Sequence, residues 1–185
     1  MFTSRQLWLM AHLGLGVVFI HAFAGGIATL LPRGTAATRG GHYRPFIPSR
    51  VKASIRAVST AGMAVVAWLT VLTGTWIVYP WYHAQPPPGV SDIAYPESWL
   101  SANPGLSVWH EFGMEWKMHV GWLAPFLATA VAFVVLRCPR ALNEDRALRK
   151  AVTTYFALAF AVAVVAGLLG AVVNNVAPNQ FLTSQ

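Results

Sequence analysis

Four long apolar runs, separated by shorter stretches rich in charge or proline, dominate the chain. The first is Leu7 to Leu31, closed by Pro32 and Arg33. The second runs from about Ala57 to Tyr79 and is closed by Pro80. The third is apolar from Met118 to Leu136 and is closed by Arg137 and Pro139; helical spacing already begins at Ser107, so this helix projects beyond its apolar part. The fourth, Ala151 to Val173, is followed by Asn174, Asn175 and Pro178. Each run matches the roughly 20 residues a helix needs to cross a bilayer, and each ends at a residue that stops helices. The pattern predicts an all-α membrane protein, a four-transmembrane-helix bundle in a single membrane domain over residues 1–185. Its helices are expected at about 7–31, 57–79, 107–136 and 151–173.

Charge gives the bundle a direction. The 32–56 loop holds Arg33, Arg39, Arg44, Arg50, Lys52 and Arg56 with no acid, and the 137–150 loop holds Arg137, Arg140, Arg146, Arg149 and Lys150. Only Arg5 and Lys117 of the 13 basic residues lie elsewhere. The positive-inside rule makes both loops cytoplasmic, so the expected topology is N-out and C-out, with the long 80–117 loop outside. Ala22-Phe23-Ala24 resembles a signal-peptidase site. Only Arg5 precedes it, however, and cleavage would strand the basic 32–56 loop on the wrong side, so the first span is expected to be retained. The expected location is a bacterial-type inner (cytoplasmic) membrane, crossed several times.

Composition agrees with lipid as the solvent. The chain is 56% hydrophobic and 10% charged, against about a quarter charged in soluble domains. Its net charge of +7 is concentrated in the two loops rather than spread over a solvated face, which argues against nucleic acid as a partner. The single cysteine, Cys138, excludes an intrachain disulfide and a thiolate metal cluster. The outer loop carries Trp81, Tyr82, Trp99, Trp109 and Trp116, the residue types of an interfacial belt, and Asp92, Glu97, Glu111 and Glu115 make that surface acidic.

Ionisable side chains within spans are costly and therefore candidates for function. Here they are His12 and His21 in the first helix and His119 near the outer end of the third. His12 lies 21 residues from Arg33 and His119 lies 18 from Arg137, which puts them about 31 and 27 Å above the cytoplasmic boundary. Two imidazoles at one level on two helices are what a six-coordinate haem b needs. Gly14 and Gly16 beside His12, and Gly121 beside His119, would let a porphyrin approach the backbone, and Lys117 and Arg5 could pair with its propionates. The plainer alternative is that these histidines donate hydrogen bonds across the bundle while the glycines pack helices. That alternative is preferred for His21, which stands near mid-span; its other use would be a second cofactor with Met63 or another subunit as partner. A further face carries His110, Glu111, Glu115 and His119, with Met114 and Met118 nearby, and suits iron, zinc, manganese or copper if other ligands join. Glu111, Glu115 and His119 share a helical face, whereas His110 stands about 180° from His119. His42 and His83 are read as solvated or interfacial loop residues.

With His12 and His119 on two of four membrane helices, and Gly14, Gly16 and Gly121 beside them, the chain resembles the small b-type cytochrome subunits of respiratory oxidoreductases. The resemblance implies one haem near the periplasmic face, because only one level-matched histidine pair exists. It also implies electron exchange with quinol, with other membrane subunits or with a periplasmic redox protein. The expected function is that of an electron-transfer subunit that is not catalytic alone. The alternatives are a cofactor-free accessory subunit of a larger membrane complex and an outer-facing non-haem metal site.

Overall fold

The computed structural model describes residues 4–31 and 48–176. His42, most of the first basic loop and Pro178 lie outside the described residues. The chain forms α1 (Ser4–Leu30) and then α2 (Ser49–Thr73), which continues through a π-helical turn at Gly74–Val78 into α3 (Tyr79–Tyr82). After a short 3₁₀ turn at Asp92–Ala94 comes α4 (Pro96–Ala102). A second π-helical stretch, Trp109–Met114, leads into α5 (Glu115–Val120), followed by α6 (Leu123–Arg137), α7 (Pro139–Glu144) and α8 (Arg146–Val176). No strand occurs among the described residues. Among the described residues four helical segments are long and apolar enough to cross a membrane: Met10–Leu30, Arg50–Tyr82, Trp109–Arg137 and Arg146–Val173. The molecule is a multi-pass membrane protein.

Prolines explain where the long helices depart from α geometry. A proline inside a helix has no N–H for the carbonyl four residues back, and its ring clashes with that carbonyl. Pro80 stands four residues after Trp76, inside the π-helical turn that widens the helix there. Pro125 stands four residues after Gly121, and Gly121–Trp122 is the turn that separates α5 from α6. A Cβ at Gly121 would lie 2.6 Å from the Lys117 carbonyl oxygen, so only glycine fits the bend. At the start of α8, Asp145 Oδ1 accepts the backbone N–H groups of Ala147 and Leu148 at 2.7 and 3.1 Å, an acidic cap on the helix N-terminus.

The spans pack in cyclic order: α1 on α2, α2 on α6, α6 on α8 and, most lightly, α8 on α1. Ala124, Ala128 and Ala132, one turn apart on α6, are all buried, so the backbones meet closely, as expected where packing rather than water exclusion holds helices together. Between α1 and α8, Phe23 stacks on Phe160 with ring centroids 3.9 Å apart and on Phe156 at 5.2 Å, and Phe19 stacks on Phe160 at 5.9 Å. Large apolar side chains including Leu13, Val58, Phe126, Phe133 and Leu168 point outward, the arrangement of a protein whose surroundings are acyl chains. Threonine hydroxyls within the spans return to their own helix: Thr60 donates to the Arg56 carbonyl at 2.9 Å and Thr129 to that of Pro125 at 2.7 Å.

Several boundaries differ from the sequence expectation. The second helix begins at Ser49 rather than near 57 and continues through Pro80 to Tyr82, and the fourth begins at Arg146 rather than near 151, because arginine and lysine extend a helix as readily as apolar residues do. The 80–117 segment is largely ordered helix, with α4 and the π-helical stretch folded over one end of the bundle as a cap. In that cap, Tyr82, Leu100, Met114 and Val173 form a second buried cluster, joined by Tyr79, Trp99 and Trp109.

Candidate functional site

His12 faces the interior near the cap end, where it meets the turn between α2 and its π-helical continuation. Its Nδ1 lies 3.1 Å from Thr73 Oγ1. The Thr73 hydroxyl gives its own proton to the Leu69 carbonyl at 2.7 Å, so towards His12 it accepts. His12 therefore carries its proton on Nδ1, and Nε2 keeps a lone pair without a partner among the described residues. The ring passes close to Gly74, where a Cβ would stand 3.3 Å from His12 Cε1.

Lys117 converges on the same region from α5. Its ammonium crosses Gly170 of α8, where a Cβ would come within 2.8 Å of Nζ, and it is near enough to act electrostatically on His12. Gly16 stands about one turn from His12 on α1, and Gly167 two turns past Phe160 on α8. A Cβ at either would meet nothing within 4 Å; Gly167 is exposed and Gly16 half-buried, so no side chain fills the surface beside them just beyond the phenylalanine stack. One open imidazole nitrogen, one cation and two glycines thus lie in the cap half of the bundle, Gly167 on its exposed surface.

The other expected site residues are placed differently. His119 has a side chain 78% exposed, and its Nδ1 donates to the Glu115 carbonyl at 2.8 Å. It sits on the outward face of α5 and is not brought to His12. His119 is two residues from Lys117 on α5, about 200° round the helix, so with Lys117 turned inward towards Gly170 the histidine faces out. Gly121 serves the α5–α6 bend, and Gly14 lies on the exposed face of α1. His21 is exposed, nine residues and thus half a turn in direction from His12, and its Nδ1 donates to the Val17 carbonyl at 2.8 Å; Met63 is fully buried in the core and does not meet it. Glu111 is exposed and Glu115 half-buried, 3.8 Å from the His119 ring through its carboxylate. The side chain of Arg5 lies outside the described residues. Among the described residues no group of three or more His, Cys, Asp or Glu is placed to hold a metal ion.

A polar cluster in the cap escaped the sequence reading. Tyr82 OH and His110 Nδ1 are 2.9 Å apart. His110 Nε2 faces Glu97 Oε1 at 3.9 Å, and His83 Nδ1 donates to Glu97 Oε2. The carboxylate favours the proton on His110 Nε2, so Nδ1 accepts from the tyrosine hydroxyl. Tyr79 stacks between Tyr82 and His83, at 6.1 and 5.5 Å. Ser98 Oγ donates to Gln85 Oε1 at 3.1 Å and ties α4 to the segment after α3. Tyr82-His83 and Glu97 are visible in sequence, but only the fold-back of α4 reveals their meeting. The chain matches no protein family model, no curated protein and no solved structure.

Proposed function

We propose that the protein is a membrane electron-transfer subunit that binds one b-type haem against α1 and α8 beside His12. The proposed topology is N-out and C-out, which puts this site near the outer face. The observation that carries the reading is the open Nε2 lone pair of His12 beside the Lys117 ammonium. A metal-ligating histidine typically donates its other N–H to a second group that fixes the ring, as His12 does to Thr73. A buried cation at membrane depth calls for an anionic partner, and a propionate supplies one. The absence of neighbours beside Gly16 and the exposed Gly167 supports a flat ring lying against α1 and α8 next to Phe19, Phe23 and Phe160. A haem held there supplies one-electron redox chemistry, exchanged with quinol or a redox partner at the outer face. His12 binds and orients, Lys117 neutralises charge, and the phenylalanine stack closes the site on its cytoplasmic side. Haemin titrated into detergent-solubilised protein should bind at one site with His12 intact and far more weakly in His12→Ala; equal binding by both proteins would refute the assignment.

His21 favours a second reading, that of an accessory subunit within a larger membrane complex. Its ring is exposed near mid-span, where a polar group against lipid is costly and a helix of another subunit would cover it. Blue-native electrophoresis of membranes gently solubilised in detergent tests this reading, which predicts that the chain migrates within a larger assembly and that His21→Leu weakens it.

A further inference from the structure

We infer that His110, clamped between Tyr82 and Glu97, takes up a proton when the haem site is reduced, with His83 linking the pair to water; this rests on the haem reading above. The four side chains form a graded path. Tyr82 is 6% exposed, Glu97 and His110 are 13% and 20% exposed at their side chains, and His83 is 56% exposed. The inner end of the path is near the proposed site. Tyr82 packs in one cluster with Val173, and Lys117 reaches Gly170, three residues earlier on α8 and so about 4.5 Å along its axis. Negative charge arriving at that site is therefore felt by the cluster through a water-poor medium, in which electrostatic interactions are strong.

The cluster has the parts such a response needs. In the resting arrangement His110 Nδ1 accepts from Tyr82. When a proton bonds to Nδ1, the Tyr82 hydroxyl rotates so that its oxygen accepts from the ring, and its own O–H gives up the imidazole as acceptor. Glu97 then faces an imidazolium, a charge-assisted contact. The balance is one electron, from a quinol or another one-electron donor, entering the haem site, and one proton, from water at the cap end, bonding to His110. Oxidation returns both.

Among the described residues few other groups face the cluster. Tyr79 stacks on Tyr82 and His83, and Glu115 and Glu97 act electrostatically on both tyrosines. Asp92 lies on the turn packed against α4, and α8 contributes Val173 and Val176. Lys117 is the cation on the haem side.

The test is redox titration of the haem-loaded protein at a series of pH values, with mediators supplying electrons. Wild type should show a midpoint that falls as pH rises between 5 and 8, where imidazoles change charge. The limit for one proton per electron is about 59 mV per tenfold change in proton activity. His110→Gln and Glu97→Gln should each flatten that slope while keeping the spectrum, a change that a purely structural role would not produce. Glu97→Gln serves if His110→Gln does not fold. A coloured protein whose slope is flat in wild type, or unchanged in the variants, overturns this inference alone. A protein that binds no haem overturns it together with the reading it rests on.

Discussion

His12 and Thr73 are joined across the α1–α2 contact by a hydrogen bond of 3.1 Å, with the histidine as donor. That bond decides the chemistry of the ring, because it commits Nδ1 to a proton and leaves Nε2 open. Thr73→Val keeps the shape of the side chain and removes the acceptor. Haemin affinity is expected to fall about 10- to 100-fold, the usual cost of losing the group that orients a ligating histidine, with little change in helicity. Parallel haemin titrations of wild type and variant measure it.

Lys117 is assigned to charge pairing, so its effect should depend on the carboxylates of the ligand. Lys117→Met should weaken binding of haemin while leaving binding of its dimethyl ester nearly unchanged. Similar losses for both ligands would show that the side chain acts only by shape.

Gly26 is where α8 presses on α1. A Cβ there would stand 2.6 Å from Phe156 Cζ, and the ring has nowhere to go because Phe156 is fully buried and stacked on Phe23. Overpacking of this kind costs about 1–3 kcal/mol. Gly26→Ala should lower the midpoint of thermal or denaturant unfolding in detergent, whereas Gly62→Ala, at a glycine with open space around it, should not.

Cys138 is the one cysteine of the chain and is exposed at the end of α6, which makes it a built-in reporter of orientation. With the proposed topology, a membrane-impermeant maleimide should label it in inside-out vesicles and not in intact spheroplasts. Labelling of spheroplasts would reverse the bundle.

The spans were legible in the sequence because span length and hydrophobicity are local properties. So was the end of the third at Arg137, whereas the second runs through Pro80 to Tyr82. What Pro80 and Pro125 did to the helices was not legible. The depth count also left out direction: His119 stands two residues from the inward Lys117 on α5 and so on the opposite face, 78% exposed. Lys117 showed the opposite case: the sequence marked it as a charge out of place, and the structure puts it beside His12. The His83, Glu97 and His110 cluster was illegible because it depends on α4 returning over the bundle, a tertiary event with no local period.

His12, and not His119, is the residue proposed to hold a haem in this chain. The direct measurement is the dithionite-reduced visible spectrum of protein purified from a haem-producing host, for wild type, His12→Ala and His119→Ala. The account predicts a b-type α-band in wild type that persists in His119→Ala and disappears in His12→Ala. A colourless wild type, or a band that survives loss of His12, would contradict it.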